Sequence, residues 1–221
     1  MIIDPRTFER FNLILTGVVV PRPIAFVSTI SIDGVVNLAP YSFFNAVAYN
    51  PPTVVFSSSR KAAGWQDKRK DTLTNIEETG EFVVNVVVDD IAAAMNATAA
   101  EYPSDVSEFV IAGLTEAPSE VVKAPRVLES PVNMECRLSQ IVNIGEQPHQ
   151  HGLVIGEIVR MHLREDVLYE GPNGYRVNHQ ALQPTGRLAG NAYCRTDDVY
   201  ELIRPNYVPE EAEQTAGQPA D

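Results

Sequence analysis

Two groups of residues have the types and spacing to hold a flat, phosphorylated ligand. The first is Ser28 and Thr29 in VSTIS with Asn37, Ala39, Pro40, Tyr41 and Ser42 in NLAPYS. A heteroaromatic ring needs apolar faces and hydrogen-bonding groups along its edge. Pro40 holds its own φ and cannot donate, so the neighbouring amides of Ala39 and Tyr41 keep a fixed direction. Ser28, Thr29 and Ser42 add hydroxyls, and Asn37 adds an amide. The second group is Ser57, Ser58 and Arg60 in SSSRK with Lys70 and Thr72 in KDT. These offer donors and cations to a phosphate. Thr72 also stands near the start of a helix predicted from Asp71, where free amides favour an anion. The plainer reading puts the aromatics in the core, the serines at strand edges and the lysines in solvent. Spacing alone leaves both readings open.

Other kinds of chemistry lack their residues. No Gly-x-Ser-x-Gly elbow, His-Glu-x-x-His helix, Gly-x-Gly-x-x-Gly turn or Walker-type loop is present. His149 and His151 form a His-x-His pair, but no cysteine or carboxylate cluster nearby completes a site, so no metal is expected. Cys136 and Cys194 are too few for a disulfide framework or a cysteine zinc site. With no evident nucleophile or carboxylate dyad, an enzyme of this sequence would rely on a cofactor for its chemistry.

The chain has 221 residues, 44 % of them hydrophobic, and a formal net charge of −12. That charge argues against nonspecific binding to nucleic acid or to anionic membranes, which needs a basic face. No segment has the roughly 18 uninterrupted apolar residues of a membrane span. The start, MIIDPRTFER, lacks a secretory signal pattern. Soluble, cytoplasmic protein is the expectation. Five of the 17 Lys and Arg residues nevertheless fall between Arg60 and Lys70, where an even spread would give about one.

Behind these groups, the pattern predicts mostly strands. A helix is expected in DPRTFERFNLILTG, capped by Thr7 and stopped by Gly17. PIAFVSTISIDGVVNLAP reads as two strands joined at Asp33-Gly34. The stretch Asn37–Pro52 is aromatic but broken by Pro40, Pro51 and Pro52. It has neither period, and reads as a buried loop. TVVFSSS is a strand. A helix follows through Leu73 and Ile76 to Gly80. EFVVNVVV is a strand with both faces covered, and DIAAAMNATAAEYP is a helix stopped before Pro103. Loops and short pieces fill 104–131. VNMECRLSQIVNIG and HGLVIGEIVRMHL pair as long antiparallel strands. One domain over 1–208 is expected, with a polar, disordered tail over 209–221. About six hairpin-connected strands with short helices suggest a small barrel.

PRPIAFVSTISIDGVVNLAPYSFFN, NPPTVVFSSSR and KDTLTNIEETGEFVVNVV, in that order, resemble the flavin reductase-like family of FMN-binding split barrels. HGLVIGEIVRMHL and GRLAGNAYCRT resemble that family's later strand and closing segment. The similarity spans roughly Gly17 to Thr196. It implies a mainly β, antiparallel Greek-key split barrel with short peripheral helices, assembled as a homodimer with FMN near the subunit interface. By motif, Ser28, Thr29, Asn37, Ala39, Pro40, Tyr41 and Ser42 would line the isoalloxazine and ribityl chain. Ser57, Ser58, Arg60, Lys70 and Thr72 would hold the phosphate. His151 stands where some relatives carry a histidine near the nicotinamide, although its HQHG context differs from theirs. Tyr193 would approach the ring.

The resulting expectation is an FMN-dependent oxidoreductase that takes hydride from NAD(P)H. Its rivals are a flavoredoxin-like electron carrier that holds FMN without oxidising NAD(P)H, and a barrel that binds another small ligand without redox chemistry.

Overall fold

The computed structural model describes residues 1–59, 69–146, 150–172 and 174–205. Its main element is a seven-stranded antiparallel sheet in the order β2-β1-β5-β8-β9-β4-β3. Five strands come from the first half: β1 (Ala25–Ile30), β2 (Val36–Tyr41), β3 (Phe44–Tyr49), β4 (Pro52–Ser58) and β5 (Glu81–Val86). Two residue pairs, β6 (Glu116–Ala117) and β7 (Arg126–Val127), form a small ribbon before the long strands β8 (Val132–Ile144) and β9 (His151–Leu163). Two further ribbons follow, β10 (Leu168–Gly171) with β11 (Gly174–Val177) and β12 (Gly186–Arg187) with β13 (Tyr193–Cys194). The expected fold, a mainly β antiparallel split barrel with short peripheral helices, is the fold observed.

The sheet curls until its two ends meet. Ala25, Val27, Tyr41, Phe56, Phe82, Val84, Met134 and Val154 share one interior cluster. Helix α2 (Asp71–Thr79) closes that interior with Leu73 and Ile76. Its C-cap Gly80 has φ 72°, a left-handed conformation that glycine adopts without steric cost. On the outer face of β1 and β2, Phe26 and Leu38 pack under α3 (Asp89–Ala97) and α4 (Glu108–Ala112), through Ile91, Met95 and Phe109. Val122 and Ala124 cover Val83 on the outer face of β5. EFVVNVVV is therefore covered on both faces by its own chain, and its apolar character needs no second subunit.

Several expectations are corrected. The stretch Asn37–Pro52 is not a loop: it is the end of β2, a bend at Ser42–Phe43, and β3. Pro40 fits because β2 is an edge strand, where a missing donor costs no ladder bond. β3 shows no alternation because it is the other edge, and five of its six residues are exposed. The first helix, α1, runs Phe11–Val18, so Thr7 does not cap it and Gly17 lies inside it. α3 stops at Ala97 instead of near Pro103, and the freed segment 98–102 becomes part of a cavity wall. The predicted tail, the Arg60–Lys68 part of the Arg60–Lys70 cationic cluster and His149 lie outside the described residues.

Candidate functional site

The exposed edge of β2 is the frame of the site. The Leu38 amide turns away from β1 and donates to Glu108 Oε2 at 2.8 Å. In an antiparallel strand the N–H and C=O of one residue point the same way, and direction alternates along the chain. Leu38 and Pro40 thus face outward, while the amides of Ala39 and Tyr41 face the ladder with β1. The expectation that those two amides would meet a ligand is corrected: the outward group between them is the Pro40 carbonyl.

Polar side chains join this edge to α2. Thr29 and Asn37 sit opposite each other in the β1–β2 pair. Asn37 Nδ2 donates to Thr72 Oγ1 at 2.8 Å, and Asn75 Nδ2 donates to Thr29 Oγ1 at 3.0 Å. All four residues are buried. Each threonine oxygen accepts here, so each keeps its own hydrogen for another acceptor. Lys70 is the N-cap residue of α2, and no side chain caps the helix. Its ammonium lies 3.7 Å from Glu101 Oε1.

Tyr41 is the anomaly of the group. Its hydroxyl is buried and makes no hydrogen bond of full geometry among the described residues. The Thr72 and Ser58 hydroxyls are near, and both favour ionisation. Burial outweighs them and pushes the Tyr41 pKa up to about 12, so the group is a neutral donor at pH 7. A buried polar atom without a partner costs about 1–3 kcal/mol. Beside it, Asn37, Ala39, Pro40, Tyr41, Lys70 and Thr72 form one wall of a cavity of about 70 Å³, and residues 98–102 form another. A second cavity adjoins it across Pro40 and Ala99, with Ser42, Arg187 and Tyr193 in its wall.

The structure brings Thr29, Asn37, Ala39, Pro40, Tyr41, Ser58, Lys70 and Thr72 together. It sets others apart. Ser28 points to the outer face of β1, where its hydroxyl donates to the Pro125 carbonyl and accepts from Asn85 Nδ2. Ser57 and Ser58 alternate across β4. Ser58 turns inward towards Tyr41. Ser57 turns outward, and its Oγ lies 3.1 Å from His151 Nδ1. Ser42 lies outside the wall of the first cavity and lines the second. Arg60 lies outside the described residues.

Residues not singled out by sequence also shape the site. Asn75 falls one turn after Thr72 on the buried face of α2, and a polar residue between Leu73 and Ile76 was the available signal. Glu108 holds the β2 edge across 70 residues of sequence, and nothing local announces it. Arg187 lies in GRLAGNAYCRT, where its sequence context assigns it no role. Among the described residues, no group of three or more His, Cys, Asp or Glu could hold a metal ion, and no helix is long and apolar enough to cross a membrane.

The sequence profile described as Flavin reductase like domain matches residues 18–180. An uncharacterized protein of Halalkalibacterium halodurans is 40 % identical over 199 residues, covering 89 % of this chain and 91 % of its own. The crystal structure of nitrilotriacetate monooxygenase component B from Bacillus cereus superposes with a TM-score of 0.83 at 39 % identity, covering 91 % of this chain and 98 % of that one. That of Pseudomonas fluorescens 2-nitrobenzoate 2-nitroreductase NbaA gives 0.82 at 35 % identity, with 95 % and 99 % covered.

Proposed function

The chain belongs to the flavin reductase-like family, and from that premise we propose that it is an oxidoreductase. In this reading it binds FMN along the edge of β2 and receives hydride from NADH or NADPH. The carrying observation is the buried Tyr41 hydroxyl, which has no hydrogen bond of full geometry among the described residues, with only the Thr72 and Ser58 hydroxyls close to it, and which belongs to the wall of a cavity at the start of α2. A ligand there would give that hydroxyl its partner. The two solved relatives above bear names of redox proteins, which supports the same class.

Bound flavin would supply the two-electron chemistry. The chain's own part is placement and charge. The Lys70 ammonium and the α2 N-terminus suit a phosphate. The Thr72 hydroxyl, fixed by Asn37, can donate to it. Ala39, Pro40 and the segment 98–102 would wall the ring and keep water from its edge. A titration of purified protein with FMN and with riboflavin tests the placement. Tighter FMN binding is expected, and equal affinities would remove the phosphate role from Lys70 and Thr72. Steady-state NAD(P)H oxidation with flavin added tests the activity; flavin binding without oxidation would make the protein a carrier.

A homodimer forms part of the proposal. Helix α1 has no buried residue, although it carries Leu13, Leu15 and Val18. The β3 edge exposes Val47 and Tyr49. A second copy covering these surfaces would explain both.

A further inference from the structure

The first cavity, of about 70 Å³, is far smaller than the roughly 300–1,000 Å³ of sites that enclose a whole small molecule. Its size suits the phosphate end of a ligand. Its charge does not. Among the described residues its wall carries one cation, Lys70, and three carboxylates, Asp71, Glu101 and Glu108. The negative potential reaches the Tyr41 hydroxyl, whose pKa the Glu108 and Asp71 charges help burial to raise.

Two of these carboxylates have an evident task in the fold. Glu108 accepts from the outward amide of Leu38 on the edge of β2. Asp71 stands in the first turn of α2, where the helix dipole favours a negative charge. Glu101 is different, because it sits in neither a helix nor a strand. The residues around it are tied back to the end of α3. The Thr98 hydroxyl donates to the Met95 carbonyl at 2.8 Å, the Ala99 amide to the Asn96 carbonyl at 3.2 Å, and the Tyr102 hydroxyl to the Ala97 carbonyl at 3.2 Å. From this base the Glu101 side chain reaches α2, where its Oε1 lies 3.7 Å from Lys70 Nζ. Both side chains keep part of their surface in water, 27 % for Lys70 and 20 % for Glu101. Such a pair contributes little to folding, so stability does not account for it.

Lys70 is the cation proposed to hold the phosphate. At the N-cap of α2 its ammonium stands at the positive end of the helix dipole, an unfavourable place without an anion nearby. Glu101 supplies that anion in the flavin-free protein. A phosphate that binds Lys70 meets the Glu101 carboxylate at the same ammonium, and like charges so placed repel. A flavin without a phosphate makes no claim on Lys70 and leaves the pair as it is.

We propose that Glu101 is a specificity-determining residue of this site: it competes with the phosphate for Lys70, and so limits the preference for phosphorylated over unphosphorylated flavin. The inference rests on the flavin reading, and its test separates the two.

The full-length protein, freed of flavin, is titrated with FMN and with riboflavin as wild type, Glu101→Gln, Lys70→Ala and the double variant. Glu101→Gln is expected to tighten FMN binding about three- to tenfold and to leave riboflavin unchanged. In the Lys70→Ala background the same substitution should tighten FMN less than about twofold, since no ammonium remains to compete for. Should Glu101→Gln fail to fold, Glu101→Ala carries the same expectations. A wild-type preference for FMN that the Glu101 substitution leaves unchanged or weakens overturns this proposal alone. So does an equal gain in FMN affinity with and without Lys70, or a matching gain for riboflavin, which would make Glu101 a steric wall. Equal affinities of FMN and riboflavin in wild type would take the phosphate away from Lys70 and this inference with it, and no binding of either flavin would overturn the flavin reading as a whole.

Discussion

The rings of Tyr41 and Phe56 meet with centroids 4.9 Å apart and planes tilted by 41°. Their strands, β2 and β4, are not hydrogen-bonded neighbours. Phe56 continues the contact edge-on to Phe82 at 5.6 Å. Three rings thus join one end of the sheet to its middle through the interior. Tyr41 belongs both to this closure and to the cavity wall.

Tyr41→Phe separates those two roles. The ring stays, and the hydroxyl without a partner goes. The flavin-free protein should gain about 1 kcal/mol of stability, because a buried donor no longer lacks an acceptor. FMN should bind about two- to tenfold more weakly, the cost of one neutral hydrogen bond. Thermal melting of flavin-free protein beside a fluorescence titration checks both; a destabilised variant with unchanged FMN affinity would show that the hydroxyl serves the fold.

Lys70→Ala should weaken FMN by about ten- to a hundredfold through loss of one charge-assisted contact. The ion pair with Glu101 at 3.7 Å is partly exposed and contributes little to folding. The melting temperature of the flavin-free variant should therefore stay near wild type, while the titration curve moves. Unchanged affinity would place the phosphate elsewhere.

Glu135 gives the protein a pH dependence. Its carboxylate is fully buried. It accepts from the amides of Glu120, Val121 and Val122 at 2.8, 2.6 and 3.0 Å, and lies 2.6 Å from His162 Nε2. Burial alone would raise its pKa, but these donors outweigh burial and hold it below the usual range. A depressed folded-state pKa means stability that is present above the unfolded-state value, about 4.3, and lost as pH falls through the folded-state value. Glu135→Gln should cost about 2–3 kcal/mol at pH 7, and the difference from wild type should shrink below about pH 4. Urea unfolding of both proteins across that range is the check.

Gly156→Ala should destabilise by about 1–3 kcal/mol, the cost of overpacking a filled core. A Cβ at this position would stand 2.3 Å from Phe82 Cζ and 3.3 Å from the Arg137 carbonyl oxygen, and Phe82 is fully buried in the core. Chemical denaturation at neutral pH measures it.

Light scattering of flavin-loaded protein at micromolar concentration should give twice the 24.3 kDa chain mass. A monomer would leave α1 and β3 uncovered in solution and remove the dimer from the proposed function.

Much of this was legible in the sequence where the signal is local. Leu73 and Ile76 with a terminal glycine announced α2, and the long apolar alternations announced β8 and β9. Thr72 and Lys70 could be placed because a helix start lies in one short stretch. Ser28 faces away from the site, against expectation, because strand alternation says that neighbours face opposite sides without saying which side is inside. Ser57 and Ser58 divided for the same reason. Glu108, Asn85 and Arg187 were silent because their partners are distant. Asn85, for example, joins the Phe26 carbonyl to the Val127 amide and to Asn133. β3 looked like a loop because an edge strand exposed on both faces writes no alternation.

The sheet's two free edges differ in what they admit. Along β2, Pro40 removes one outward donor and Glu108 occupies the next, so another polypeptide cannot lay a continuous strand there. β3 contains no proline between Phe44 and Tyr49, and although Asn45 Oδ1 accepts from the Ala46 amide at 2.9 Å and a bulge follows before Ala48, its edge is closed less completely than that of β2. Strand addition, whether by a neighbouring molecule or in misassembly during folding, is therefore steered away from the edge that frames the cavities and towards the opposite rim.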